Sequence, residues 1–357
     1  MKKRLVVVLS FIIAIVLASC GTLTDKSSDE QQGGPVSKST LSEKVTIRVS
    51  HCDPTTVPQH LGFEMFKKIV EEESGGAIQV KIYPATQLGG ERESLEQVKN
   101  GSLEMATASA GPVTTFNKQF MLLDIPFVFD DYETAWMVMD GPVGQSLLRS
   151  GENVGLKGLG FMENGFRHVT NNVRPIKNPV DFKGLKIRTM EAPMHMENFK
   201  ALGANPTPVP WQDTFLALQQ NVVDGQENPL AAMYAANMFE VQRFLSLTGH
   251  IYDPMTVFVN PKWFYSLSEE HQALIHRAII LGQNYSRFVN KQREDFLVEE
   301  FETKGVQVNY LTIEEKEQLK STSQKAVIEQ VKKAIDQERI DAWLEAIEQV
   351  RKDVTNI

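Results

Sequence analysis

The chain has 357 residues, of which 42% are hydrophobic and 23% charged, and its formal net charge is −8. This is the composition of an ordinary globular protein, and the acidic balance argues against nucleic-acid binding, which needs a basic face. It contains two cysteines, Cys20 and Cys52, so if Cys20 is modified as argued next, no disulfide framework is possible.

In chain order, Lys2, Lys3 and Arg4 precede an apolar run over residues 5–17, broken once at Ser10 and too short to span a bilayer comfortably. The run ends at Leu17-Ala18-Ser19-Cys20. Small residues just before a Cys predict a lipobox, in which residues 1–19 are a signal peptide and Cys20 becomes a diacylated N-terminus. The alternative is a generic signal peptide that happens to contain a Cys. Two acyl chains anchor stably, at about 0.8 kcal/mol per buried CH2. Cleavage would remove three positive charges and no acid, taking −8 to about −11. An anionic ligand would then gain nothing from net charge and would need a local cluster of donors. Residues 20–44 have almost no apolar periodicity and are rich in Ser, Thr, Lys, Asp, Gln and Gly, which predicts a flexible tether.

The folded body starts near Val45. About 310 residues is more than one core usually serves, so two lobes are expected. Val45, Ile47 and Val49 alternate with polar residues as a first strand. Leu61, Met65, Phe66, Ile69 and Val70 recur at helical spacing until Ser74-Gly75-Gly76 stops them. Ile78, Val80 and Ile82 form a second strand ended by Pro84. Residues 91–99 read as a short helix stopped by Asn100-Gly101, and residues 103–108 as a third, apolar strand. Strand, helix, strand, helix, strand is a parallel α/β unit with right-handed crossovers. The unit recurs: residues 156–162 and 185–188 read as strands, residues 194–202 and 213–220 as helices, and residues 256–259 as a strand of mixed character. A long helix begins at Ser268 and extends toward Thr303 with one internal Gly. Gly305 ends it, and Val306, Val308 and Tyr310 form another strand. Thr312-Ile313-Glu314-Glu315 is a capping-box pattern that opens the last helices.

Two stretches carry chemistry. In Gly184-Leu185-Lys186-Ile187-Arg188 the alternation places Arg188 opposite the apolar pair, at the strand exit, where a guanidinium can present a fork of donors to a carboxylate. Asp224-Gly225-Gln226-Glu227-Asn228-Pro229 reads as a turn-rich loop with Asn228 as an uncharged hydrogen-bonding group. Together they suggest an anion-reading cleft; a surface ion pair beside an ordinary loop is the other reading. His51, Cys52 and Asp53 end the first strand, where open α/β sheets place ligand contacts. They read as a polar loop lining a cleft, since no further residues with metal-ligand spacing accompany them. His271 and His276 do not share a helix face and read as surface residues. An enzyme would need a nucleophile elbow, a metal pair or a carboxylate dyad. The sequence has no Gly-x-Ser-x-Gly, His-Glu-x-x-His or phosphate loop, so neither catalysis nor a cofactor is expected.

A wider set of segments carries a resemblance over residues 45–345. They are Tyr83-Pro84-Ala85-Thr86-Gln87-Leu88-Gly89-Gly90-Glu91-Arg92, Asp140-Gly141-Pro142-Val143-Gly144 and Glu163-Asn164-Gly165-Phe166-Arg167-His168. The Gly184–Arg188 stretch follows, then Leu202-Gly203-Ala204-Asn205-Pro206-Thr207-Pro208, Val223 through Leu230, and Leu245-Ser246-Leu247-Thr248-Gly249-His250. In this order they resemble the substrate-binding proteins of tripartite ATP-independent periplasmic (TRAP) transporters, the dicarboxylate-binding-protein (DctP-like) group. The resemblance implies an α/β, two-lobed fold of the periplasmic-binding-protein type, with an interlobe cleft, crossing strands and a long shared helix. Lobe I would comprise residues 45–164 and 255–293, and lobe II residues 165–254 and 294–357. It further implies an extracytoplasmic, membrane-anchored lipoprotein, a monomer, that delivers a small organic acid to integral membrane permease subunits driven by an ion gradient. A ligand sensor for a signalling receptor would share the same fold and cleft.

By the same resemblance, Arg188 pairs with the ligand carboxylate. Arg167 matches a second Arg that either touches ligand or supports Arg188. Asn228 either holds the same carboxylate or caps a helix, and Trp211 either packs over the ligand or joins the core. Glu91 falls at a polar cleft position. Ser109 and Pro112 stand where sialic-acid binders carry Glu and Arg, which disfavours sialic acid. The expected wall is Ser50, His51, Asp53, Gln59, His60, Glu91, Ser109, Glu191 and Trp211. It is polar and hydroxyl-compatible, and a small apolar monocarboxylate would leave such groups unpaired at about 1–3 kcal/mol each if buried. The expected ligand is a hexuronate or aldonate, with a C4-dicarboxylate as the alternative.

Overall fold

The computed structural model describes residues 44–355. The expected signal peptide, the lipidation site Cys20 and the tether as far as residue 43 lie outside them. Nine strands form one sheet: β1 (Val45–Ser50), β2 (Ile78–Tyr83), β3 (Met105–Ala108), β4 (Lys157–Asn171), β5 (Lys186–Thr189), β6 (Asn205–Pro208), β7 (Gly225–Pro229), β8 (Phe244–Val259) and β9 (Gln307–Tyr310). The order is β2-β1-β3-β8-β4-β7-β5-β6, with β9 also on β8.

β1 pairs in parallel with both β2 and β3, as the βαβαβ pattern requires. Its first crossover helix, Pro58–Glu73, has Pro58 in its first turn, and the second, Glu91–Asn100, ends on Gly101 at φ +84°. β5 is likewise parallel to β6 and β7. The two parallel units are joined by β4 and β8, which run antiparallel from Lys157↔Val259 to Asn171↔Phe244. β3 pairs the end of β8, and β9 pairs its beginning; β7 pairs the end of β4. Both long strands therefore serve both lobes. The β4–β8 register shifts between Glu163 and Gly165 and between Arg167 and Val169, midway along the pair. Such bulges bend and twist a ladder. Gly165 sits in one, at φ +117°, where an added Cβ would lie 3.1 Å from Tyr132 Oη.

Each lobe is a sheet between two apolar layers. In the first, Ile47, Val49, Phe63, Phe66 and Ile78 pack on one side, and Leu95, Val98, Phe120, Phe129 and Phe258 on the other. In the second, Leu218, Val223 and Leu230 form one layer, and Phe182, Leu185, Ile187 and Phe199 the other. The helix Glu269–Thr303, capped by the Ser268 side chain, gives Leu274, Ile275 and Ile279 to the first lobe and Leu297, Val298 and Phe301 to the second. Its single internal glycine, Gly282, lies against Gly62 so closely that a Cβ on Gly62 would be 2.7 Å from the Gly282 carbonyl oxygen. The capping box at Thr312 and Glu315 opens the helix Ile313–Val331.

Four expectations need correcting. Residues 224–229 are not a loop: Gly225–Pro229 is strand β7, buried throughout. The strand expected over 156–162 continues to Asn171, and the one expected over 256–259 begins at Phe244. His271 is buried rather than on the surface, though His276 is exposed. The closing helix, Gln337–Thr355, packs Ile340, Trp343 and Ile347 into the apolar cluster of Leu95 and Phe258.

Candidate functional site

Strand ends from both lobes converge between the two parallel units. β5 delivers Arg188, which is 1% exposed. Its Nε donates to the Val209 carbonyl at 2.8 Å, and its guanidinium carbon lies 5.8 Å from the centre of the Trp211 ring. That is the range of a cation–π contact. Nη1 is buried without a hydrogen-bond partner, and Arg188 makes no ion pair among the described residues. Burial pulls its pKa down to about 10, so it remains a cation at neutral pH.

The neighbouring Arg167 is wholly committed. Its Nη1 donates to Asp253 Oδ2 at 2.6 Å, and its Nη2 to Glu227 Oε1 at 2.8 Å and to the Glu227 carbonyl at 2.7 Å, while Nε also meets Glu227. Glu227 also receives His195 Nδ1 at 3.3 Å and His250 Nε2 at 3.1 Å, and His195 Nε2 reaches Asp124 at 3.1 Å. Burial would raise the Glu227 carboxyl, but Arg167 and His195 hold it well below the usual range. Burial would lower His195, but Asp124 and Glu227 carry it up to about 9. Five chain-distant segments are thus tied together by buried charges that compensate one another.

Arg188, Asp53, Glu91, Ser109, Trp211 and Asn228 line one cavity of about 20 Å³, with Cys52, Asn164, Met190 and Met255. A second cavity of about 40 Å³, reached past Glu91 and Trp211, includes Glu191 and Pro112. Together they are far below the roughly 300–1,000 Å³ of a ligand site, so entry of an organic acid requires the walls to part. Asp53 accepts a hydrogen bond from Gln59, and Trp211 beside it favours its charged form. Burial and then the Asp253 charge push it up to about 6. Half-buried Glu91 turns its carboxyl onto the Ser109 N–H, 2.9 Å away, and burial raises it to about 7. The Ser109 hydroxyl donates to Asp253 at 3.0 Å, and Asn228 Nδ2 to Gln226 at 2.8 Å.

Four residues expected on the wall do not line either cavity. Ser50 pairs its hydroxyl with Ser94 at 2.9 Å. His51 Nε2 and His60 Nδ1 bond each other at 2.9 Å, which turns one nitrogen of each ring away from a ligand, and burial drops His51 to about 3. Gln59 reaches the cavity only through Asp53. Conversely, Asn164 lines the cavity and Asp253, Glu227 and His195 brace it, though none had a role assigned from sequence. His195 sits in the helix Pro193–Ala201, and Glu227 and Asp253 sit in β7 and β8, where polar neighbours leave no clean strand period. Larger surface grooves exist, including one of about 720 Å³ beside the long helix. Its Arg287 is already paired with Asp140 at 2.6 Å, so that groove offers no free buried cation. Among the described residues no group of three or more His, Cys, Asp or Glu is placed to hold a metal.

Two lobes on crossing strands, with a buried unpaired cation in the cavity between them, define a solute-binding protein of the periplasmic type. The chain belongs to the DctP family, bacterial extracellular solute-binding protein family 7, whose model matches residues 49–334. It is 36% identical over 264 residues to the 2,3-diketo-L-gulonate-binding periplasmic protein YiaO of Escherichia coli K12, spanning 74% of this chain and 80% of that one. It is 31% identical over 280 residues to the C4-dicarboxylate-binding periplasmic protein DctP of Rhodobacter capsulatus, spanning 77% and 83%. Its fold is similar to the sugar acid binding protein of Advenella mimigardefordensis solved with galactonate, with a TM-score of 0.83 and 31% identity over 86% of this chain and 99% of that one. The relatives are solute-binding components of transporters and not enzymes, and this chain is extracytoplasmic like them. No helix among the described residues is long and apolar enough to cross a membrane.

Proposed function

We propose that this protein is the receptor of a TRAP transporter that takes a small organic acid by its carboxylate on Arg188 and delivers it to the membrane permease. The observation that carries the reading is the Arg188 guanidinium, buried with Nη1 unpartnered and without an ion pair among the described residues. Leaving a guanidinium so is costly unless an anion completes it. A carboxylate fits the planar fork. In this reading Trp211 packs over the ligand, Asn228 supplies its amide, and Arg167 acts through Glu227 and Asp253 to hold the cavity in shape. Lipidated Cys20 would keep the receptor at the membrane.

The best ligand class is a sugar acid, a hexuronate or aldonate. Asp53, Glu91 and Glu191 are hydroxyl acceptors around Arg188, the one cation of these cavities without an ion pair among the described residues, whereas a second carboxylate would meet only Arg92, already paired with Glu96. The names of the diketogulonate-binding and galactonate-bound relatives support this. The Rhodobacter relative's name supports a C4-dicarboxylate as the alternative. A thermal-shift panel tests the choice, because a ligand raises the melting temperature by mass action. Galactonate, D-erythronate and glucuronate should shift the melt more than succinate or malate, and neutral galactose not at all. A strong succinate or malate shift with none from the sugar acids would install the alternative. An equal shift with galactose would remove the carboxylate clamp.

A further inference from the structure

The cavity that holds the free cation also holds two carboxyl groups that have no cation of their own. Asp53 is 6% exposed and is bonded by Gln59, from the helix Pro58–Glu73, while Trp211, from the helix Trp211–Gln219, lines the same cavity. The charges that face it are Asp253 on β8, Arg167 on β4 and Glu91, which in turn faces Arg188 on β5. Glu91 is bonded by the Ser109 N–H at the end of β3, and it faces Asp53, Asp253 and Arg167. Cys52 stands beside both. Arg167 offers neither carboxyl a partner, since Glu227 and Asp253 already occupy it. An organic acid docking on Arg188 would bring a third carboxylate into a closed space where Arg188 is the one lining cation among the described residues.

We propose that the receptor binds its organic acid together with one proton, held on the Asp53–Glu91 pair, so that the cavity receives a proton and an anion as a neutral couple. The proton comes from solvent, no covalent bond changes, and the protonated carboxyl gains an O–H donor that can face a ligand carboxylate or hydroxyl oxygen. Burial already prepares this by raising Asp53 to about 6 and Glu91 to about 7. A bound anion raises both further, by like-charge repulsion at low dielectric. The couple also sharpens selection: a monoacid enters neutral with one proton, whereas a diacid would need two protons for the same balance.

The inference rests on the Arg188 carboxylate reading, and the experiment separates the two. The acid that gives the largest melting shift among galactonate, D-erythronate, glucuronate, succinate and malate is titrated calorimetrically into the wild-type protein between pH 5.5 and 8.5, in buffers of different ionisation heat. The expected result is a buffer-dependent heat corresponding to uptake of about one proton at pH 8, with affinity falling about tenfold per pH unit above pH 7. In the double variant Asp53→Asn/Glu91→Gln the affinity should no longer depend on pH. Buffer-independent heats and a flat affinity in the wild type, with binding abolished by Arg188→Lys, would overturn the proton and leave the carboxylate clamp standing. No shift from any of the five acids, or undiminished binding by Arg188→Lys, would overturn the clamp and the proton with it.

Discussion

Arg167 and Glu227 grip each other across the β4–β7 ladder by side chain and main chain at once: Nη2 of Arg167 meets both the Oε1 and the carbonyl oxygen of Glu227, at 2.8 and 2.7 Å. Arg188, two strands away, has no carboxylate in its grip. Two equally buried arginines therefore hold opposite energetic positions. One is fully compensated, and the other keeps its desolvation cost.

Removing each in turn should expose the difference. Arg167→Met leaves Glu227 and Asp253 short of their shared partner and should cost about 3–5 kcal/mol in urea unfolding. Arg188→Met removes a buried charge with no ion pair and should leave the ligand-free protein as stable as the wild type or more so. Equal losses for the two variants would mean that Arg188 is compensated within the chain.

Arg188→Lys should weaken binding of the best acid by at least tenfold, about 1.4 kcal/mol, although the charge is kept. An ammonium cannot reproduce a planar two-donor fork or stack on Trp211 in the same way. Calorimetry on the folded variant measures it, and an affinity within about threefold of wild type, roughly 0.7 kcal/mol, would sink the assignment.

His195 should make stability depend on alkaline pH. Asp124 and Glu227 hold it at about 9 against burial, while a free imidazole titrates near 6.5. Its contribution is fully present below about pH 6.5 and is lost as pH rises through about 9. The stability gap between wild type and His195→Gln should thus shrink by about 3 kcal/mol between pH 6 and pH 10. Urea melts at both pH values give the gap, and a constant gap would mean that His195 is neutral in the fold.

Cys20→Ala in the full-length chain should release the receptor into the soluble fraction of cells while leaving its melting shift with acids unchanged, since the cavity is built from residues 52–255. Fractionation followed by thermal shift reads both. Continued firm membrane attachment would show that something other than an acyl chain holds the protein.

The legible parts of the fold are those whose partners lie nearby in sequence or whose burial is apolar. β1, β2 and the first helix show clean periods, and Ser268 and Thr312 announce helices by their side chains. Arg188 stood out as a charge at the exit of an apolar strand. β7 was hidden because Gln226, Glu227 and Asn228 offer no apolar face. They are buried only because Thr170, Arg167, His195 and His250 supply polar partners from elsewhere in the chain. Gly165, Gly249 and Pro254 likewise interrupt the alternation of β4 and β8 where the two strands bend past each other. The helices Tyr132–Asp140 and Pro142–Ser150 were overlooked despite Asp131 as a cap and Pro142 in a first turn. Of the site, Asp53, Glu91, Ser109, Glu191, Trp211 and Asn228 line the two cavities. The His51–His60 pair could not be anticipated, because it joins two rings across a turn.

The crossing of β4 and β8 has a consequence for how the chain comes into being. β3 finds its second neighbour only when Met105 meets Val259, about 150 residues later in synthesis. Until then the parallel sheet of the first lobe has an open edge, a template for wrong pairing. Neither half can be completed first, so contacts of long sequence separation must form late and together, which slows folding. The receptor should therefore melt in one transition rather than lobe by lobe, and a fragment cut anywhere between residues 105 and 259 should aggregate instead of yielding half a receptor.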